Sequence, residues 1–221
     1  MTSKRPRALL IANGEPPSKS LWARLSADSP DVFCVDGGAN AACSLGVTPI
    51  AVFGDFDSVH DEVRCQITCE WRETPDQEYQ DLDKAIACLL DDGYANISVA
   101  GVLGRQASHT FGNLGPLVKY KDRAAITYHG RWEDLFVLEG RWEWNAPVGR
   151  RISLLPVFGP TRVSTRNLLY PLRDEVLQLG VRDGISNETQ AGGVVVTASE
   201  NPVLVCVERT RGAAPLFAPE K

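Results

Sequence analysis

Short apolar runs recur through the first half of the chain: Ala8-Leu-Leu-Ile-Ala12, Val32-Phe-Cys-Val-Asp36, Ile50-Ala-Val-Phe53 and Ile97-Ser-Val-Ala-Gly101. Each is bounded by Gly, Pro or Asp and reads as a strand buried on both faces of a parallel sheet. Between the third and fourth, Leu82, Ala85, Ile86, Leu89 and Leu90 fall at helical spacing. They make one apolar stripe along Asp81 to Leu90 and leave Asp81, Lys84 and Cys88 on the other side. A weaker helical pattern runs from His109 to Tyr120, where Gly112, Gly115 and Pro116 lower the propensity.

Beyond about Ile126 the pattern changes. Phe136-Val-Leu138, Ile152-Ser-Leu-Leu155, Val194-Val-Val-Thr197 and Val203-Leu-Val-Cys-Val207 are short strand candidates separated by Gly, Pro and Asn, with no long helix among them. Such spacing predicts an antiparallel sandwich. The boundary falls within residues 122–130, so the fold class is an α/β N-terminal domain with a mostly parallel sheet over 1–125, followed by an all-β C-terminal sandwich over 126–221.

Composition narrows the partners. With 43% apolar and 23% charged residues among 221, the chain has ordinary globular usage, and disordered or fibrous classes drop out. A net charge of −5 argues against nucleic acid or an anionic membrane surface as the main partner. The six cysteines sit mostly inside apolar runs and read as small core residues in a reducing compartment. Met1 to Arg7 is basic, but the apolar run after it stops at Asn13-Gly14, too short for a signal peptide, and no stretch is long enough to span a bilayer. The expected location is cytoplasmic.

Two acidic, glycine-bearing segments each follow a predicted strand: Asp36-Gly-Gly-Ala-Asn40 and Gly54-Asp55-Phe-Asp57-Ser58. In an open α/β sheet, ligands bind beyond the carboxyl ends of the strands, so both segments should face one crevice. The spacing of Asp55 and Asp57 puts both carboxylates on one side of an extended segment, and Gly37, Gly38 and Gly54 let backbone approach a ligand closely. Two hard oxygen ligands with no His or Cys nearby suit magnesium shared with substrate phosphates. The plainer alternative is a pair of solvated turn acids. Asp81 can complete a metal site and Lys84, one turn on, can meet a phosphate; equally, the pair can be a helix-start acid with its surface partner. Neither a phosphate-loop fingerprint nor a dinucleotide GxGxxG motif is present. An EF-hand loop counted from Asp55 fails at His60 and Gln66.

Taken in order, DGGAN, GDFDSV, DQEYQDLDKAI, ISLLP and GISNE resemble the thiamin pyrophosphokinase family across roughly residues 8 to 207. The resemblance implies a nucleotide-binding α/β domain, a thiamin-binding β-sandwich and a homodimer with its sites at the subunit interface. It also implies magnesium-dependent transfer of the terminal pyrophosphoryl group of ATP to the thiamin hydroxyl, releasing AMP. Carried over by position, Asp55, Asp57 and Asp81 correspond to the metal-binding acids and Lys84 to the helix lysine, the four forming the catalytic set. Asp36, Gly37, Gly38 and Asn40 fall in the nucleotide loop, and Gln77 matches a glutamine near the thiamin. Ser186 and Asn187 match a pair facing the pyrimidine, and Ser58 offers a hydroxyl to phosphate or metal.

Two departures stand out. Gln80-Asp81 replaces a usual Thr-Asp, and Gly101-Val-Leu-Gly-Arg-Gln-Ala-Ser-His109 replaces a pattern resembling Gly-x-x-Gly-Gly-Arg-x-Asp-His. Arg105 stands for the family arginine only if one residue is inserted before His109, and in either alignment an acid is missing. This leaves open a pyrophosphokinase acting on another heterocyclic alcohol, or a nucleotide- or thiamin-binding relative without turnover. A phosphatase of the haloacid dehalogenase type, with Asp55 as nucleophile, lacks its later motifs. His109 at a helix start reads as structural, Cys65-x-x-x-Cys69 lacks zinc spacing, and Trp132, Trp142 and Trp144 read as packing residues.

Overall fold

The computed structural model describes residues 6–76, 78–209 and 215–219. It divides into two compact units, the first running to Arg131 and the second covering Trp132–Pro219. Among the described residues no helix is long and apolar enough to cross a membrane.

The first unit opens with β1 (Arg7–Ile11), α1 (Lys19–Leu25), β2 (Asp31–Val35), α2 (Gly38–Ser44), β3 (Ala51–Gly54), α3 (Asp61–Gln66) and β4 (Glu70–Glu73). It continues with α4 (Asp81–Asp91), β5 (Asn96–Ala100), α5 (Ala107–Gly112), α6 (Gly115–Lys119) and β6 (Ala125–His129). The six strands form one parallel sheet in the order β6-β5-β1-β2-β3-β4. Leu9, Leu10 and Ile11 of β1 are all fully buried, as are Val52 and Phe53 of β3. Successive strand residues point to opposite faces. An unbroken apolar run therefore means that both faces are covered, which is why these strands carry no alternation.

On α4, Leu82, Ala85, Ile86 and Leu89 are buried, and the helix packs against β2 and β3. The single helix expected over His109 to Tyr120 is two short ones. The chain breaks at Asn113-Leu114, where the Asn113 side chain donates to Val102 O (2.8 Å) and Tyr128 Oη donates to Asn113 O (2.7 Å). Pro116 then falls in the first turn of α6, where its missing N–H costs no helical bond.

The second unit is all β: β7 (Glu133–Trp144), β8 (Arg151–Leu155), β9 (Thr161–Arg166), β10 (Glu175–Leu177), β11 (Gly184–Glu188) and β12 (Val194–Glu208). Two long strands, β7 and β12, pair antiparallel along their length, and both bend, at Gly140 (φ 78°) and around Glu200 (φ 79°). The first half of β12 pairs β9, which carries β10, while the second half pairs β8, which carries β11. The two sheets thus share two strands that cross from one to the other, the corner construction of a sandwich. The strand candidates at Val194 and Val203 are the two halves of β12. Trp142 and Trp144 stack at 5.6 Å, and Phe136 meets Trp142 edge-on, so these indoles pack as expected; Trp132 is exposed.

Candidate active site

In the first unit, chain order along the sheet reverses beside β1: β2, β3 and β4 lie to one side, β5 and β6 to the other. Loops leaving the carboxyl ends of neighbouring strands diverge at such a reversal and leave a crevice. A cavity of about 440 Å³ lies there. Its walls come from Asn13 and Gly14 after β1, Asp36 after β2, and Asp55, Asp57 and Ser58 after β3. Gln80 and Asp81 enter from the start of α4, and Arg105 and His109 from the segment after β5. Both strand-end motifs therefore face one crevice, as their sequence placement predicts.

Carboxylate oxygens of Asp36, Asp55 and Asp57 lie within 4.8 Å of one another. Local backbone geometry brings them together. Asp36 and Phe56 both adopt left-handed φ values (48° and 67°), which turns the chain sharply at the ends of β2 and β3. Asp36 Oδ1 accepts the Phe56 N–H (2.9 Å), tying one acidic loop to the other. Gly54 (φ 138°) permits this approach, because a Cβ there would lie 2.4 Å from Asp36 Oδ1. Asp57 N–H donates to Asp55 Oδ1 (3.2 Å), and Ser58 Oγ donates to Asp57 Oδ1 (2.9 Å).

Burial pushes the Asp36 carboxyl up to about 6, against the lowering effect of the Phe56 N–H; the charges of Asp81, Asp55 and Asp57 raise it further. Asp36 is buried, whereas Asp55 and Asp57 are exposed. An all-oxygen set of anionic donors without His or Cys fits a hard divalent cation such as magnesium.

The other site residues expected from the sequence distribute as follows. Asp81 lines the cavity but stands apart from the close trio, with Lys84 Nζ at 2.6 Å from its Oδ1. Arg105 also lines the cavity and donates to Asn13 Oδ1 (3.1 Å). Lys84 points its ammonium at Thr74 O (2.6 Å) and Asp76 O (2.7 Å) as well as at Asp81. Asn40 braces two elements: its Nδ2 donates to Ser58 O (2.9 Å) and its Oδ1 accepts the His60 N–H (3.0 Å). Gly38 packs the start of α2 against the end of β1, since a Cβ there would sit 2.0 Å from Ile11 O, and Gly37 leaves room for the Asn13 side chain, whose Oδ1 would lie 2.4 Å from a Cβ. Gln77 lies outside the described residues.

Ser186 and Asn187 belong to the second unit. Asn187 is buried; its Oδ1 accepts from Tyr170 N (3.0 Å) and Glu188 N (2.9 Å), and its Nδ2 donates to Tyr170 O (2.6 Å). It clamps the loop that carries Tyr170. Ser186 is exposed, with φ 59° and its N–H donated to Ser153 Oγ (3.1 Å). Gln106, from the altered segment, lines the cavity beside Arg105, and so does Asn13, which sequence reasoning passed over. For Asn13 a signal existed, because Asn13-Gly14 follows its strand just as the two acidic motifs follow theirs.

Comparison with known proteins finds relatives in both sequence and fold. Residues 22–128 match the family description "Thiamin pyrophosphokinase, catalytic domain", and residues 144–204 match "Thiamin pyrophosphokinase, vitamin B1 binding domain". The chain is 30% identical over 165 residues to the thiamine pyrophosphokinase of Bacillus subtilis (strain 168), covering 70% of this chain and 76% of that protein. The fold is similar to the crystal structure of Bacillus subtilis thiamine pyrophosphokinase (TM-score 0.78, 22% identity, 92% of this chain and 99% of that one). It is also similar to thiamin pyrophosphokinase from Candida albicans (TM-score 0.81, 18% identity, 93% and 90%).

Proposed function

We infer the reaction from one premise: this chain belongs to the thiamin pyrophosphokinase family and is therefore a pyrophosphotransferase. The reaction is attack of the thiamin hydroxyl oxygen on the β-phosphorus of ATP. The new O–P bond forms as the bond from the β-phosphorus to the α-phosphate bridging oxygen breaks, the hydroxyl proton is released, and the products are thiamin diphosphate and AMP. The observation that carries this reading is the convergence of Asp36, Asp55 and Asp57 on a cavity at the chain reversal of a parallel sheet.

Asp55 and Asp57, with Asp81 from the facing helix and Asp36 behind them, are the residues to hold magnesium. When bound, magnesium neutralises polyphosphate charge. Asp36 positions the acidic loop through the Phe56 N–H. Arg105 supplies a cation at the wall to meet phosphate oxygens, and Ser58 is oriented by Asp57. Such transfer asks mainly for positioning and electrostatic complementarity, with little covalent work from the protein.

The thiamin side of the reading rests on the second unit, with Ser186 exposed and Asn187 acting from beneath by holding the Tyr170 loop, and on a homodimer. Val181 (76% exposed), Tyr170 (66%) and Leu179 (63%) offer an apolar surface there for a second copy. All six cysteines are free thiols, including exposed Cys65, which suits a reducing, cytoplasmic setting.

The test is formation of AMP and thiamin diphosphate from ATP, magnesium and thiamin, with Asp57→Asn as the blank. Wild-type product is expected, and loss of roughly 10²-fold or more in the folded variant, because the substitution removes a ligand charge and no core volume. Equal rates for the two proteins would remove Asp57 from the metal site. A second reading keeps the chemistry and changes the acceptor, favoured by the placement of the altered residues Arg105 and Gln106 on the cavity wall. A panel of heterocyclic alcohols in the AMP-release assay separates the two.

A further inference from the structure

We propose that Lys84 is a positioning residue, fastening the segment before α4 and the Asp81 carboxylate into one rigid wall of the cavity, and that it does not meet the phosphates itself. The proposal rests on the reading that pyrophosphoryl transfer takes place in this cavity. An ammonium has three N–H donors and no acceptor. All three are accounted for here: Thr74 O at 2.6 Å, Asp76 O at 2.7 Å and Asp81 Oδ1 at 2.6 Å. The Lys84 side chain is 11% exposed, so water competes little for these contacts, and Lys84 is not part of the cavity lining.

The segment it grips is held at other points as well. Thr74 N–H donates to Gly54 O (3.1 Å), joining the segment to the end of β3 beside the acidic loop. Glu78 N–H donates to Asp76 Oδ1 (2.8 Å), closing a local turn. Tyr79 lies under the Lys119 ammonium at 4.4 Å from the ring centre, and Lys119 is paired with Asp83 on α4 (2.6 Å). Residues 74–76 and Asp81 therefore share one cation, and Asp81 faces the cavity in the orientation that cation sets. Ordering this wall in the free protein removes an entropy cost from the reacting complex.

The experiment measures kcat, KM for ATP and hydrogen exchange of the peptide spanning 74–80 in the full chain, for wild type, Lys84→Met and Lys84→Arg. For Lys84→Met, kcat should fall by roughly 10²-fold, the cost of a displaced wall. KM for ATP should stay within about threefold, since no contact to ATP is lost, and exchange across 74–80 should quicken. Lys84→Arg should move the same way, because a planar guanidinium cannot reproduce three converging contacts of a compact ammonium; it carries the test if Lys84→Met does not fold. A rise in the ATP KM of about tenfold or more with unchanged exchange would show a phosphate contact instead and overturn the proposal. Wild-type rate and wild-type exchange in both variants would overturn it equally. If wild type forms no thiamin diphosphate, the reaction assignment fails by itself, and the exchange comparison alone decides whether Lys84 holds the segment.

Discussion

Asp36 has two tasks that oppose each other. It accepts the Phe56 N–H inside a buried turn, and it adds a third negative charge beside Asp55 and Asp57. With its carboxyl raised from 3.8 to about 6, the sign of its contribution follows. Below about pH 4 it is protonated whether the chain is folded or not. Between there and pH 6 the folded protein keeps a proton that the unfolded chain has released, so stability falls as pH rises; above 6 the full destabilisation stands. Asp36→Asn keeps an oxygen for the Phe56 N–H and cannot ionise. With metal chelated, its melting temperature should gain on wild type from pH 4 to pH 7, read by thermal unfolding across that range. A gap that does not change with pH would assign the titration to another group. The acidic residues were legible because each sits just after an apolar strand. The bracing roles of Asn40 and Lys84 were not, because their acceptors are backbone carbonyls of Ser58, Thr74 and Asp76, which no side-chain pattern encodes.

Among the elements, those whose burial fixes their composition were the readable ones. The four apolar runs became β1, β2, β3 and β5 with ends shifted by one residue, and the stripe on α4 became its buried face. By contrast, β4 reads Glu-Trp-Arg-Glu, because an edge strand half open to solvent carries charge that blunts its free side. The helix α2, Gly-Ala-Asn-Ala-Ala-Cys-Ser, has no side-chain cap and a weak apolar stripe, so nothing announced it. Its glycine start answers to packing against β1. Gly38→Ala should destabilise the protein by roughly 1–3 kcal/mol, the cost of forced displacement in a packed interior. Gly115→Ala, at an α6 position where a Cβ meets nothing within 4 Å, should be neutral or stabilising by up to about 1 kcal/mol. Urea midpoints of the two variants make the comparison, and equal destabilisation would refute the packing explanation for Gly38.

At the scale of the whole molecule, the proposed homodimer is the reading most open to a direct check. Val181→Asp replaces an apolar side chain that is 76% exposed in the single chain, so folding should change by no more than about 0.5 kcal/mol. Light scattering after size exclusion should give twice the chain mass of 24.1 kDa for wild type and the single-chain mass for the variant. A wild-type protein that runs as a single chain would end the dimer reading.

Strand β12 also sets an order of events during synthesis. Its residues 194–208 are the partner of β7, β8 and β9 alike, so before they leave the ribosome those strands have no common neighbour to pair with. The parallel sheet of the first unit, in contrast, is complete at His129. The catalytic unit can therefore fold while the rest of the chain is still being made, and the β unit must wait for its closing strand.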